Sequence, residues 1–391
     1  MMLRKGGESM SEVSIVRCED YQREHCLRAL EEALAPFGGL GWVTPGMKIA
    51  IKANLVSAMK PETAATTHPA LLAALTEQLV ARGAEVVVGD SPGNLFNAAV
   101  LNRVYAVTGL HAVEEAGGKL NHNFEQKSAS FPQAHVAKTF QYTAWLDGAD
   151  AIISFCKLKS HGMMCLSAAT KNLFGAVPGM TKPEYHFRFP EPLDFASMLI
   201  DLNDYFKPRL YVVDAVLAME GNGPTAGTPR HMGALLAGTN CHKLDMVCAK
   251  LIGLDPMVVP TLRAAANYGL VPEAAAEIET VGNPDDFIIP DFERIERGRG
   301  MHFETVFPGK AGELFGKIAQ KALRSSPKLK NAECVGCGLC ANLCPAKAIA
   351  IQEKKARVDY HKCIRCFCCQ EFCPKGAMKV HRPLPARILN R

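Results

Sequence analysis

The chain has 391 residues, 48% of them hydrophobic and 21% charged, with a formal net charge of +5. That length and balance exclude a single small module and a disordered chain, and they supply enough apolar surface for a substantial core. The charge is uneven: from Ser326 onward 13 Lys and Arg stand against 4 Asp and Glu, a formal +9, whereas the first 325 residues carry −4.

Residues 1–11 read as a disordered N-terminus, and the opening MMLRKGGESMSEVSIVRCED holds no apolar core of a signal peptide. No stretch reaches the roughly 18 uninterrupted apolar residues of a membrane helix. The expectation is a cytoplasmic protein without a membrane span. SEVSIVR reads as a strand, EHCLRALEEAL as a helix, and KIAIKANLV as a buried strand after the turn Thr44-Pro45-Gly46. HPALLAALTEQLVARGA reads as a helix with Thr67 as its N-cap, Pro69 in its first turn and a stop at Gly83. EVVVGDSPG follows as strand and glycine-rich loop, ADAIISFCKLK as a strand entering a polar loop, and FASMLIDLNDYF as an amphipathic helix. RLYVVDAV and GALLAG are further strands, and LDMVCAKLIG is a helix closing at Gly253.

This alternation predicts an α/β fold over residues 12–300, a parallel or mixed sheet with helices on both faces. Such sheets place ligands beyond the carboxyl ends of their strands. Asn54, Asp90 to Gly93, Lys157 to Gly162 and Asp214 to Pro224 fall there. Residues 301–330 read as a helix, centred on 310–324, and a linker SSPKLKN; residues 331–380 read as a small, cysteine-rich α+β domain, and 381–391 as a C-terminal arm.

Nine of the fifteen cysteines lie between Cys334 and Cys373, and eight of them repeat the pattern C-x2-C-x2-C-x3-C-P at an offset of 29 residues. Cys334, Cys337, Cys340 and Cys344 form the first copy, and Cys363, Cys366, Cys369 and Cys373 the second. In bacterial two-cluster proteins with this run, the fourth cysteine ligates the other cluster. Two 4Fe-4S clusters are therefore expected, one on Cys334, Cys337, Cys340 and Cys373, the other on Cys363, Cys366, Cys369 and Cys344. Structural zinc pairs C-x2-C knuckles across a longer gap, and disulfides need an oxidising compartment; neither matches. Each cluster brings negative charge, which much of the C-terminal basic excess offsets. The basic residues are scattered between cysteines without interleaved aromatics, so no nucleic-acid interface is expected, and an acidic redox partner protein, donor or acceptor, is.

In the large domain, Lys157, Lys159 and His161 run toward Thr170, Lys171 and Asn172, with Lys182, His186 and Arg188 beyond. Lysines ending an apolar strand must reach water or an anion, so this set reads as the cationic floor of a pocket for a small anionic substrate, a carboxylate or phosphate. Asp90, Asp201, Asp214 and Glu220 form an acidic set, and Asp90, Asn172, Asp214 and Glu220 are candidate substrate-binding groups. Thr66 to Pro69, at a helix start, offers free backbone N–H groups to an anion. His111, His122 and His135 show no partner spacing. Cys156, Cys165 and Cys368 read as buried thiols. No G-x-G-x-x-G and no G-x-x-x-x-G-K-[ST] occurs, so no nucleotide cofactor is supported.

IKANL, TTHPALL, GDSPG, KLKSHG, TKNLFGAVPG, VDAVLAMEGNGP and LDMVCAKLIGLDP together resemble the domain of unknown function 362 family over about residues 45–270, and the last 60 residues resemble bacterial two-cluster ferredoxins. TTHP and the strand-helix layout are also similar to the N-terminal part of lactate racemase-like proteins, at the level of fold alone. Where family members often carry an acidic residue before the helix that begins here at Leu244, this chain has Cys241-His242-Lys243, leaving Asp245 as the acidic group. The family implies an iron-sulfur protein without naming a reaction.

The leading expectation is a ferredoxin-linked oxidoreductase. Electrons from the clusters reach the strand-end site, Lys157, Lys159 and Lys171 bind the anion, and His161 or His186 donates protons. The alternatives are a non-enzymatic electron carrier whose α/β domain docks a partner complex, and a factor that passes a metal or cluster onward.

Overall fold

The computed structural model describes residues 12–93, 95–295 and 325–381. The expected N-terminal disorder, the helix at 310–324 and the arm beyond residue 381 lie outside the described residues.

The strands in chain order are β1 Val13–Arg17, β2 Lys48–Lys52, β3 Glu85–Gly89, β4 Lys119–Leu120, β5 Gln126–Ser130, β6 Thr139–Thr143, β7 Ala151–His161, β8 Cys165–Ser167, β9 Leu210–Glu220, β10 Thr228–Gly238 and β11 Thr280–Val281. Nine of them form one sheet in the order β11-β1-β10-β9-β7-β2-β3-β4, with β8 added to the end of β7. The run β9-β7-β2-β3-β4 is parallel, as the strand-helix alternation predicts; β10 turns back antiparallel from β9 and β1 pairs antiparallel with β10. The sheet is therefore mixed. GALLAG is only the second half of β10, whose first half, TPRHM, is too polar to read as a buried strand.

The central strands are buried nearly throughout: β7 and β9 expose almost nothing over 11 residues each. Continuous apolar runs of this kind arise when helices cover both faces. The helices Arg23–Leu34, Pro69–Val80 and His111–Glu115 pack together on one side, and Ala169–Asn172, Pro192–Phe206, Cys241–Leu251 and Pro260–Asn267 on the other. Ala98–Thr108, capped by Asn97, was not legible in its apolar spacing.

Two local expectations are corrected. The cap of Pro69–Val80 is His68, whose Nδ1 accepts from the Ala70 N–H at 3.2 Å. Thr67 is spent elsewhere: its hydroxyl donates to the Phe155 carbonyl at 2.8 Å and accepts from the Asn54 N–H at 3.0 Å, tying the segment after β2 to the middle of β7. The presumed linker SSPKLKN contains β12 Ser326–Leu329, which pairs antiparallel with β15 Met378–His381. With the hairpin of β13 Ile349–Gln352 and β14 Lys355–Val358, it closes the small cysteine-bearing unit.

Candidate functional site

The carboxyl ends of β2, β3, β7 and β9 deliver charged side chains to one buried region. Lys52, Lys157, Lys159 and Lys182 are all buried there. An unpaired ammonium is costly to bury, so the decisive question is what each lysine meets.

Two are neutralised by the fold. Lys52 Nζ lies 2.8 Å from Asp90 Oδ1 and 2.6 Å from the Ala53 carbonyl. Asp90 is fixed in turn by the N–H groups of Leu55, at 2.7 Å, and Ser91, at 2.8 Å. Asn172 donates to the Lys52 carbonyl and to Ser154 Oγ, both at 3.0 Å. Gly175 completes this packing, since a Cβ there would overlap Asp90 and Lys52. Lys157 Nζ lies 2.6 Å from Asp214 Oδ2, 2.9 Å from the Tyr21 hydroxyl and 3.1 Å from the Leu217 carbonyl. Asp214 also accepts the Tyr21 hydroxyl at 3.0 Å and the His68 N–H at 3.0 Å. The anion at the start of helix Pro69–Val80 is thus the chain's own Asp214. Burial lowers the pKa of Lys52 and Lys157, and the facing carboxylates oppose it.

The other two have no carboxylate within ion-pair distance among the described residues. Lys159 Nζ donates to Asn54 Oδ1 and to the Ala65 carbonyl, each at 2.7 Å. Lys182 Nζ donates to the Ser91 carbonyl. Burial is the main cause that lowers both to about 7, and the Lys171 ammonium lowers them further. Lys171 itself lies 5.7 Å above the Phe174 ring. The hydroxyls of Ser91 and Thr66, on the same loops that supply the two carbonyl acceptors, are buried without a hydrogen-bond partner among the described residues. A region with three cations, two of them near their titration point, and unspent hydroxyl groups is chemically suited to an anion.

The remaining expected site residues divide. His161 accepts the N–H groups of Met163 and Met164 on Nδ1, both at 3.1 Å, which places its ring proton on Nε2, 3.9 Å from Glu371 Oε2. His186 stacks on Phe195 at 4.3 Å, and burial pushes its pKa down to about 3, which keeps the ring neutral. Arg188 is exposed and holds the Thr139 carbonyl. Glu220 accepts the Glu293 N–H at 3.0 Å and faces Arg230 at 3.8 Å. Asp201 binds the N–H groups of His135, Val136 and Ala137. Asp245 accepts those of Ala169 and Thr170 at 2.7 and 3.0 Å, and burial raises its pKa to about 6. Sequence reasoning missed Lys52, Tyr21 and the whole contribution of the cysteine-bearing unit. Only Lys52 left a signal, a lone charge inside an apolar strand.

That unit sits on the strand-end region. Gln370 Nε2 donates to the carbonyls of Asn222 and Gly223, both at 2.9 Å; Asn222 Oδ1 accepts the Val380 N–H at 3.1 Å, and Thr225 Oγ1 donates to the Glu371 carbonyl at 3.1 Å. Phe372 lies on Gly93, where a Cβ would overlap its ring. The docking helix, Cys368–Glu371, is part of the second cysteine run.

Within the unit the cysteines surround two hollows. Cys344, Cys363, Cys366, Cys368 and Cys369 line one; Cys334, Cys337, Cys340 and Cys373 line the other. The partition matches an exchange of fourth ligands. Ala348 donates to Cys344 Sγ and Ala377 to Cys373 Sγ, each at 3.2 Å, so the two repeats treat their fourth sulfur alike. Among the described residues no group of His, Cys, Asp or Glu converges tightly enough to hold a single ion. Four thiols around a hollow fit a cube of iron and sulfur better than one zinc at about 2.3 Å from each sulfur. Cys368, Cys156 and Cys165 are buried.

A model of the domain of unknown function 362 matches residues 49–250, and a model of a 4Fe-4S dicluster domain matches residues 326–374. The chain belongs to the domain of unknown function 362 family. This family member carries a ferredoxin-type, 4Fe-4S-binding domain and has an iron-sulfur electron-transfer role. Thylakoid-associated protein sll1697 of Synechocystis sp. is 31% identical over 288 residues, which cover 72% of this chain and 86% of that protein. Two solved structures are similar to part of the chain. The lactate racemase apoprotein of Thermoanaerobacterium thermosaccharolyticum has 12% identity and a TM-score of 0.37 over 60% of this chain and 56% of its own. A Thermotoga maritima protein has 13% identity and a TM-score of 0.36 over 55% of each. The chain therefore spans just over half the length of those two proteins. Among the described residues of this family member, no helix is long and apolar enough to cross a membrane.

Proposed function

We propose that this protein is a ferredoxin-linked oxidoreductase that reduces a small anionic substrate at the strand-end site of its α/β domain, drawing electrons from two 4Fe-4S clusters and ultimately from a redox partner protein. One cluster would be held by Cys334, Cys337, Cys340 and Cys373, the other by Cys363, Cys366, Cys369 and Cys344. Bound there, each cluster supplies one-electron transfer.

The observation that carries this reading is the docking of helix Cys368–Glu371, with its cysteine Cys369, over the region of Lys159, Lys171 and Lys182. A covalently joined donor domain held at its acceptor site acts at high effective concentration. The chain's residues then have distinct tasks. The pairs Lys52–Asp90 and Lys157–Asp214 hold the strand ends rigid. Lys159, Lys171 and Lys182 attract the anion, and the Ser91 and Thr66 hydroxyls offer it hydrogen bonds. Lys159 and Lys182, near 7, and the Nε2–H of His161 are placed to donate protons as the substrate gains electrons. Gln370 and Phe372 hold the cysteine-bearing unit against the large domain.

The test mixes anaerobically reduced protein with panels of carboxylates and phosphates and follows cluster reoxidation by visible absorbance. At least one anion should reoxidise the native protein, and Lys159→Met should slow that step at least about tenfold without altering iron content. Equal reoxidation rates in the variant would remove Lys159 from the site.

A further inference from the structure

The cysteine-bearing unit is a duplication whose halves face different surroundings. At the 29-residue offset, Phe367, Gln370, Glu371 and Phe372 of the second repeat correspond to Gly338, Ala341, Asn342 and Leu343 of the first. The second set docks on the large domain; the first carries smaller side chains. The consequence is visible at the two hollows. Cys337 is exposed where its counterpart Cys366 is half-buried, and Val335 beside it is 60% exposed. Ile351, lining the same hollow, is 37% exposed.

Charge surrounds this small apolar opening. Lys375 lines the hollow, and Lys354 packs its carbonyl against Gly336 at the rim. Both are exposed, and neither has an ion-pair partner among the described residues. Glu353, in the same turn, offsets part of the charge, while Glu333 is taken by Lys330 and Lys379. The rim is net basic around an apolar centre.

We propose that this face is the electron entry port, at which a small acidic one-electron carrier protein of ferredoxin type docks, with Val335 and Ile351 as the apolar contact and Lys354 and Lys375 as the charged rim. The proposal rests on the reading that electrons enter through the clusters, and it names the face and the partner chemistry. One electron leaves the carrier, which is oxidised, and is taken up by the cluster nearer the port, which is reduced; no bond forms or breaks. The second repeat, buried against the strand ends, is the exit. Complementary charge steers such encounters and makes them salt-sensitive.

The experiment uses the anaerobically reconstituted full chain, an acidic plant-type 2Fe-2S ferredoxin as probe and basic cytochrome c as the opposite-charge control. Affinity is measured by calorimetry with both partners oxidised, and the electron-transfer rate by stopped flow with the ferredoxin reduced. The expected result is binding of the acidic probe that weakens with salt. The Lys354→Glu, Lys375→Glu double variant should bind it at least about tenfold more weakly, with a parallel fall in rate and with iron content and dithionite reduction unchanged. If the double variant loses iron, Lys354→Ala with Lys375→Ala replaces it, with the same direction expected. Affinity that ignores charge reversal, or a basic probe bound as tightly as the acidic one, overturns the port. Neither readout needs a substrate, so failure of the strand-end site and failure of the port are separate outcomes.

Discussion

Phe372 lies on Gly93 so closely that the glycine has no room for a Cβ. This contact joins the second cysteine run to the loop after β3, one residue from the Ser91-Pro92 turn that supplies the Lys182 acceptor. Replacing Gly93 by valine should therefore open the junction without touching any cysteine. The expected outcome is unchanged iron content with amide exchange at Cys368–Phe372 faster by at least about tenfold, measured by hydrogen-exchange mass spectrometry. Unchanged exchange would mean that Phe372 is not holding the unit down.

Lys157 and Asp214 form a fully buried pair. Removing one partner leaves a buried charge, so Lys157→Met or Asp214→Leu alone should cost about 3–5 kcal/mol. The double variant should recover more than half of that loss in denaturant unfolding of the cluster-free chain. A double variant as unstable as the worse single one would mean that the pair does more than neutralise itself, and would return Lys157 to the list of substrate-contacting groups.

Lys159 and Lys182 predict a pH signature. Each is lowered to about 7 in the folded chain, against an ordinary lysine near 10.5. Between those values the unfolded chain binds more protons than the folded one, so stability rises with pH across that window and the full penalty is felt below about 7. The slope should reach about 1.4 kcal/mol per pH unit for each lysine. Lys159→Met should be more stable than the native chain at pH 6 and lose that advantage toward pH 10, as read from paired unfolding curves. Anion affinity should run the other way, falling as pH rises through 7.

Much of this architecture is legible in the sequence. The buried parallel strands announced themselves as apolar runs such as RLYVVDAV, and the two cysteine repeats as an exact 29-residue echo. What the sequence hid was pairing across long separations. Lys157 and Asp214 are 57 residues apart, and Lys52 and Asn172 are 120 apart, so nothing local shows that Asp90, Asp214 and Asn172 are spent on lysines. His186 looked like a proton donor because its neighbours in sequence are charged; in the fold its neighbour is the Phe195 ring. The cysteine spacings, identical in the two repeats, gave no hint that one would dock inward and the other face solvent; the difference lies between the ligands, in Phe367, Gln370 and Phe372 against Gly338, Ala341 and Leu343.

His186 offers a simple check of this placement. Held near 3, it is uncharged across the working range, so His186→Phe should keep cluster content and leave the pH dependence of anion binding in place. A lost pH dependence would restore it as a titrating group of the site.

The central claim is that the strand-end cations sit against one cluster and not the other. A dye-mediated redox titration at pH 6, followed by EPR, reads this directly, comparing the native chain with Lys159→Met. Removing a positive charge disfavours the more negative, reduced state, so one of the two reduction waves should move to lower potential while the other stays in place. Two waves that move together, or neither moving, would contradict the account.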